Sequence, residues 1–139
     1  MVLMALLDTT VYVDLRGRGG ARRKAEAEKT IRQLLQSGEI LVTSRVNIAE
    51  IYCGVELASD RPNELKAMRD FLAWIGVLEL DDKAARHFAM IRAELQRRGK
   101  MVGDMDTLIG GIALANGHSV VTRNVSHFTP MPGVKVIGY

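Results

Sequence analysis

The sequence has little of what stabilises a chain by means other than its own core. Of 139 residues only one is cysteine, Cys53, so an internal disulfide and a Cys-x-x-Cys metal site are both excluded. A reducing, cytoplasmic setting is expected. Three prolines and a charged fraction of 25% exclude the collagen-like, mucin-like and disordered classes. Long hydrophobic runs are absent. The N-terminal MVLMALL stops at Asp8, too short for a membrane span and without the basic start of a signal peptide. Met4 offers an alternative start that keeps the strand-like part of this run. Aromatics are only 5%, which argues against a stacking platform for single-stranded bases.

What is present is 47% hydrophobic residues, enough to bury one core, so residues 1–139 read as a single domain. The charge balance, 19 Lys and Arg against 16 Asp and Glu, gives +3 and hints at an anionic partner.

Leu3 to Leu7 is a continuous apolar run, the pattern of a strand buried on both faces in a parallel sheet. After Gly17–Gly20, Ala27, Ile31, Leu34 and Leu35 recur at helical spacing until Gly38. Ile40 to Val42 reads as a second strand, with Thr43 and Ser44 as candidate caps for a helix carrying Val46, Ile51 and Val55. Pro62 suits a helix start, and Leu65, Met68, Phe71, Leu72 and Ile75 form its apolar stripe. Val77 to Leu80 is a third strand. Asp81 or Asp82 can cap a helix whose Ala85, Phe88, Ile91 and Leu95 face inward, and Asp104 opens another that Asn116 and Gly117 close. Ser119–Thr122 and Val134–Ile137 complete five strands. Their alternation with helices predicts a three-layer α/β domain: a mostly parallel five-stranded sheet with helices on both faces.

In such a sheet ligands bind outside the carboxyl ends of the strands. Asp8 stands at one of those ends, beside Thr9 and Thr10, unless it merely caps a helix beginning near Thr10. Glu50 lies among Val46, Ile48, Ile51 and Val55, either partnered or solvated at the edge of the stripe. Asp104 and Asp106 share a helix's first turn, where the macrodipole alone would favour them. Gly110 and Gly111 inside that helix point to its close approach to the sheet. The run VVTRNVSHF brings Arg123, Asn124 and His127 to another strand end, with His127 most simply a loop histidine.

Taken together, LLDTTVYVDL, SRVNIAEIYCGVE, GDMDTLIGGIALANG and VVTRNVSHF, followed by PGVKVI, resemble the PIN-domain family, and more narrowly its VapC-type toxins. The motifs stand in order over nearly the whole chain. The resemblance implies a Mg²⁺- or Mn²⁺-dependent ribonuclease on a five-stranded parallel sheet. It places the family's acids on Asp8, Glu50 and Asp106 as catalytic and metal-holding residues, with Asp104 as a supporting metal neighbour. Thr10, Asn124 and Arg123 are expected around the substrate. A further acid common in the family after the fourth strand is absent, Asn124 and His127 occupying the two places where it occurs. The resemblance also implies an RNA substrate, a cognate antitoxin and a homodimer, and no membrane. A noncatalytic RNA-binding PIN domain and a housekeeping RNA-processing nuclease without an antitoxin are the competing readings.

Against that chemistry the basic residues acquire a purpose. Arg16, Arg18, Arg22, Arg23 and Lys24 form one cluster, and Arg92, Arg97, Arg98 and Lys100 a looser one; each can track an RNA backbone or be a solvated face. With Asp8, Glu50, Asp104 and Asp106 gathered in one pocket, 19 bases face 12 remaining acids, an excess of +7 that the average conceals.

Overall fold

The computed structural model describes residues 3–139; Met1 and Val2, the first residues of the N-terminal run and of the alternative-start question, lie outside the described residues. In chain order the elements are β1 (Met4–Leu7), α1 (Thr9–Leu15), α2 (Ala21–Gln36), β2 (Ile40–Ser44), α3 (Arg45–Leu57) and α4 (Arg61–Leu72). There follow β3 (Gly76–Leu78), α5 (Asp82–Arg97), α6 (Asp104–Asn116), β4 (Ser119–Thr122), α7 (Val125–Phe128) and β5 (Val136–Gly138).

The strands form one sheet in the order β3-β2-β1-β4-β5, every neighbouring pair parallel. β1 is central, with Leu6 opposite Val42 on one side and Val120 on the other. Its unbroken apolar run has a direct cause. Ala5 and Leu7 pack with Val11, Tyr12, Ile31, Ile51 and Phe71 from α1 to α4, while Leu6 packs with Ala84, Ile91, Ile109, Ile112 and Phe128 from α5 to α7. These two cores are the outer interfaces of the three-layer domain.

Local chemistry sets most boundaries. The Ser44 hydroxyl accepts from the Asn47 N–H, and the Asn47 amide reaches back to the Ser44 N–H, a capping box that starts α3 directly at the end of β2. Asp81, of the two candidates, caps α5 by accepting from the Ala84 N–H at 2.9 Å. Gly117 ends α6 in the left-handed conformation, φ 69°, which favours glycine. β2 therefore runs two residues beyond the expected Val42, whereas β3 starts and stops earlier than Val77–Leu80. On α5 it is Ala84, not Ala85, that is buried, and Leu35 of α2 is exposed.

The glycines of α6 require a correction. A Cβ on Gly111 would lie 2.8 Å from the backbone nitrogen of Phe88 and 3.1 Å from the carbonyl of Ala84, so the close approach is to α5 and not to the sheet. Gly110 in turn leaves room for the Met131 side chain. Packed on α5, α6 still brings Asp106 of its first turn near enough to Asp8 for their charges to interact.

After β1 the chain builds one half of the sheet through β2 and β3, then returns to build the other through β4 and β5. The order reverses between β1 and β4, and a crevice for ligands opens beyond their carboxyl ends. Asp8 leaves β1 there.

Candidate active site

Asp8 is buried, and its N–H donates to the Val121 carbonyl at 2.9 Å, continuing the ladder between β1 and β4 by one residue. Although it occupies the N-cap position of α1, its carboxylate makes no capping bond. Asp8 Oδ1 accepts from Asn47 Nδ2 at 3.1 Å, and Oδ2 accepts from the Thr122 hydroxyl at 2.8 Å and the Thr10 hydroxyl at 3.3 Å. Burial pushes the Asp8 carboxyl above the usual carboxylate range despite these donors, and the negative charge of Asp106 pushes it the same way.

Glu50 sits half-buried on α3 and accepts from the Thr9 hydroxyl at 2.7 Å. It too is raised, first by burial and then by the charges of Asp8 and Asp106. The solvated alternative for Glu50 is thus excluded. Asp106, in the first turn of α6, faces His127 of α7, whose Nδ1 lies 2.8 Å from Asp106 Oδ2. A carboxylate can only accept, so Nδ1 carries the proton.

Asn47 links these groups, and the sequence reading does not single it out. The amide is fully buried; Nδ2 donates to Asp8 and, at 3.0 Å, to Thr9 Oγ1, while Oδ1 accepts from the N–H and hydroxyl of Ser44. Both its donors and both its lone pairs are used, which fixes the amide's orientation. The available signal was the spacing Ser-x-x-Asn at a strand end, a capping box with Asn in place of the usual Glu or Gln. Thr122 is the second such residue, buried at the end of β4 and accepting from the Asn124 N–H at 3.0 Å.

Not every expected residue converges here. Asp104 is exposed, and its carboxylate is taken by Arg92 of α5 at 2.9 Å. The Arg123 guanidinium is likewise engaged elsewhere, its Nε donating to the fully buried Asp14 at 2.9 Å, with the Tyr139 hydroxyl donating to the same oxygen at 2.8 Å. Its backbone N–H donates to Thr10 Oγ1, so Thr10 is bound into the strand end around Asp8. Asn124 is partly exposed at the start of α7, where its side chain makes no cap.

Asp8, Glu50 and Asp106 offer hard oxygen donors that repel one another, a set suited to Mg²⁺ or Mn²⁺. Among the described residues no three His, Cys, Asp or Glu side chains converge tightly enough to hold an ion by themselves. The raised carboxyls of Asp8 and Glu50 record what an opposing positive charge would relieve.

Comparison with known proteins identifies the family. The chain is 36% identical over 93 residues, 67% of its length and 70% of the relative's, to the tRNA(fMet)-specific endonuclease VapC of Salmonella typhimurium. It is 30% identical over 127 residues, 91% of each chain, to ribonuclease VapC2 of Haemophilus influenzae. Among solved structures, DNA-bound VapBC from Salmonella typhimurium superposes with TM-score 0.82 at 28% identity, covering 99% of this chain and 98% of that one. VapBC2 from Rickettsia felis, bound to a promoter DNA fragment, superposes with TM-score 0.88 at 20% identity over 99% of each chain, a likeness of fold. The PIN domain profile matches residues 5–128, from the first core residue of β1 to the buried Phe128 of α7. On this profile match and these relatives, the chain belongs to the PIN-domain family, among its VapC-type members.

Proposed function

We propose that the chain is an endoribonuclease dependent on Mg²⁺ or Mn²⁺, and the toxin of a toxin–antitoxin pair. The observation that carries the reading is the hydrogen-bonded link from Asp8, at the end of β1, through Asn47 and Thr9 to Glu50 of α3, with the charge of Asp106 of α6 acting on both carboxyls. Asp8, Glu50 and Asp106 would hold the cation. When bound, such an ion lowers the pKa of a water, orients it for in-line attack and stabilises charge on the leaving oxygen.

The protein's own part is orientation. Asn47 and Thr122 hold the two oxygens of Asp8, Thr9 holds Glu50, and His127 holds Asp106, so each carboxylate keeps one direction before substrate arrives. Asn124, which follows β4 and makes no cap, is the residue we assign to RNA contact, while Thr10 bonds to Asp8 and Arg123 to Asp14.

The named relatives support a nuclease that acts on RNA, and the VapBC neighbours support an antitoxin partner. Tyr52 and the strongly exposed Leu57 on α3, beside a groove lined by Val55, Pro62 and Leu65, supply an apolar face for that partner. A homodimer remains part of the proposal.

The test is cleavage of bulk RNA with Mg²⁺ or Mn²⁺ by the wild type, Asp8→Asn and Asp106→Asn. Each variant is expected to lose on the order of 100-fold or more in rate, and chelation to silence the wild type. Equal cleavage by all three proteins sinks the site, and RNA binding without cleavage by the wild type sinks the enzyme.

A further inference from the structure

A small pocket of about 110 Å³ lies beside Glu50, between α1, α3 and α4, lined by Thr9, Tyr12, Arg16, Arg18, Glu50 and Glu64 among others. Two guanidinium groups converge in it on a single oxygen. Arg16 reaches Glu64 Oε1 at 2.8 Å, and Arg18 contacts the same atom. Glu64 is largely buried, with a side-chain exposure of 13%. Donors outnumber acceptors, since each guanidinium carries five N–H groups and one carboxylate answers both.

Two further polar groups are left over. The Tyr12 hydroxyl and Arg16 Nε are buried without a well-formed hydrogen bond, the hydroxyl lying beside the Arg16 guanidinium, and Tyr12 as a whole is 8% exposed. Tyr12 is held in place from behind by an edge-to-face contact with Phe71, ring centroids 5.0 Å apart. Buried polar groups are rarely left unpaired, and both of these belong to residues that line the pocket. A simple tether between the turn after α1 and helix α4 would need neither of them.

Resting on the nuclease reading above, we propose that this pocket is a phosphate subsite for the RNA strand next to the bond cut at the carboxylate site, with Glu64 occupying it in the free protein. A phosphodiester replaces the carboxylate charge for charge. It brings two free oxygens to Arg16 and Arg18, and the neighbouring ribose hydroxyl can pair with Tyr12, so the exchange satisfies donors that Glu64 leaves empty. Thr9 and Glu50 line both this pocket and the carboxylate site, which puts the two within one strand's reach.

The exchange makes an unusual prediction about sign. Binding of a short labelled single-stranded RNA is measured in chelator, where no cleavage occurs, for the wild type, Arg18→Ala, Tyr12→Phe and Glu64→Gln. Arg18→Ala, at a half-exposed position that the core does not need, is expected to weaken binding about tenfold and to reduce the salt slope by about 0.7. Tyr12→Phe weakens it severalfold without lowering the melting temperature, and Glu64→Gln, which frees both arginines, tightens it. A structural tether predicts instead that Arg18→Ala and Glu64→Gln both lower the melting temperature and leave RNA affinity unchanged, and that result overturns the subsite. Should the wild type cleave RNA while all three variants bind it equally, the subsite alone falls. Should the wild type neither bind nor cleave RNA, the nuclease reading falls with it.

Discussion

Asp8 carries a conflict between folding and chemistry. Its carboxylate is buried with three side-chain donors, yet its pKa is raised, so the ionised form destabilises the metal-free fold. The direction of the pH effect follows. A carboxyl whose folded pKa lies above its unfolded value takes up its proton at higher pH in the folded state, so its contribution to stability improves as pH falls from neutral through that raised pKa. In chelator Asp8→Asn is therefore expected to melt above the wild type at pH 7, the gap closing as pH is lowered toward the ordinary carboxylate range. Thermal melts at several pH values check this, and a gap independent of pH would contradict it. Asp8, Glu50 and Asp106 were all legible in the sequence, because each is a carboxylate out of keeping with its position or matched to a family motif. Asn47 was not, because a buried asparagine announces itself only through the partners that the fold brings to it. Asp104 misled for the opposite reason: it is adjacent to Asp106 in sequence, but a helix rotates about 100° per residue, so two steps carry it away toward Arg92.

At the scale of elements, α3 does two things with one motif. The Ser44–Asn47 box both starts the helix and spends the asparagine's amide on Asp8 and Thr9, so helix initiation and site geometry are the same event. Asn47→Ala is expected to cost about 1 kcal/mol in stability through the weakened cap. With Asp8 in the proposed metal-holding role, it should also lose about 10- to 100-fold in RNA cleavage. Denaturant unfolding and initial rates measure the two losses, and a variant that loses stability but keeps full activity would show that Asn47 only caps. Strand existence was legible throughout, because every strand of a covered parallel sheet is a short apolar run. Strand ends were less so, since polar Thr43 and Ser44 continue β2 on the strength of backbone pairing with β3. Helix α7, at four residues, is shorter than any periodicity can register, and it is held by the buried Phe128. The destination of α6 was misjudged because a glycine pair marks a close approach without naming what approaches.

For the whole molecule the sequence gives a small positive excess, and the structure redistributes it. Removing the three gathered acids leaves 19 bases facing 13 acids, one fewer in the site than expected because Asp104 is outside it. Much of the basic clustering is already paired: Arg16 and Arg18 with Glu64, Arg22 with Glu26, Arg92 with Asp104, and Arg97 and Arg98 with Glu94. No sequence reading could find Glu64, which is 46 residues from Arg18. Within those two clusters Arg23, Lys24 and Lys100 make no ion pair among the described residues, and under the proposed function they face an RNA backbone. Among the described residues, too, no helix is long and apolar enough to cross a membrane.

The central claim is that Asp8, Glu50 and Asp106 act together on one divalent cation, and the most direct measurement is Mn²⁺ affinity by calorimetry in parallel with RNA cleavage, for the wild type and Asp106→Asn. The wild type is expected to bind Mn²⁺, and the variant to lose affinity and cleavage together. Equal Mn²⁺ affinity in the two proteins, or cleavage that persists in chelator, would contradict it.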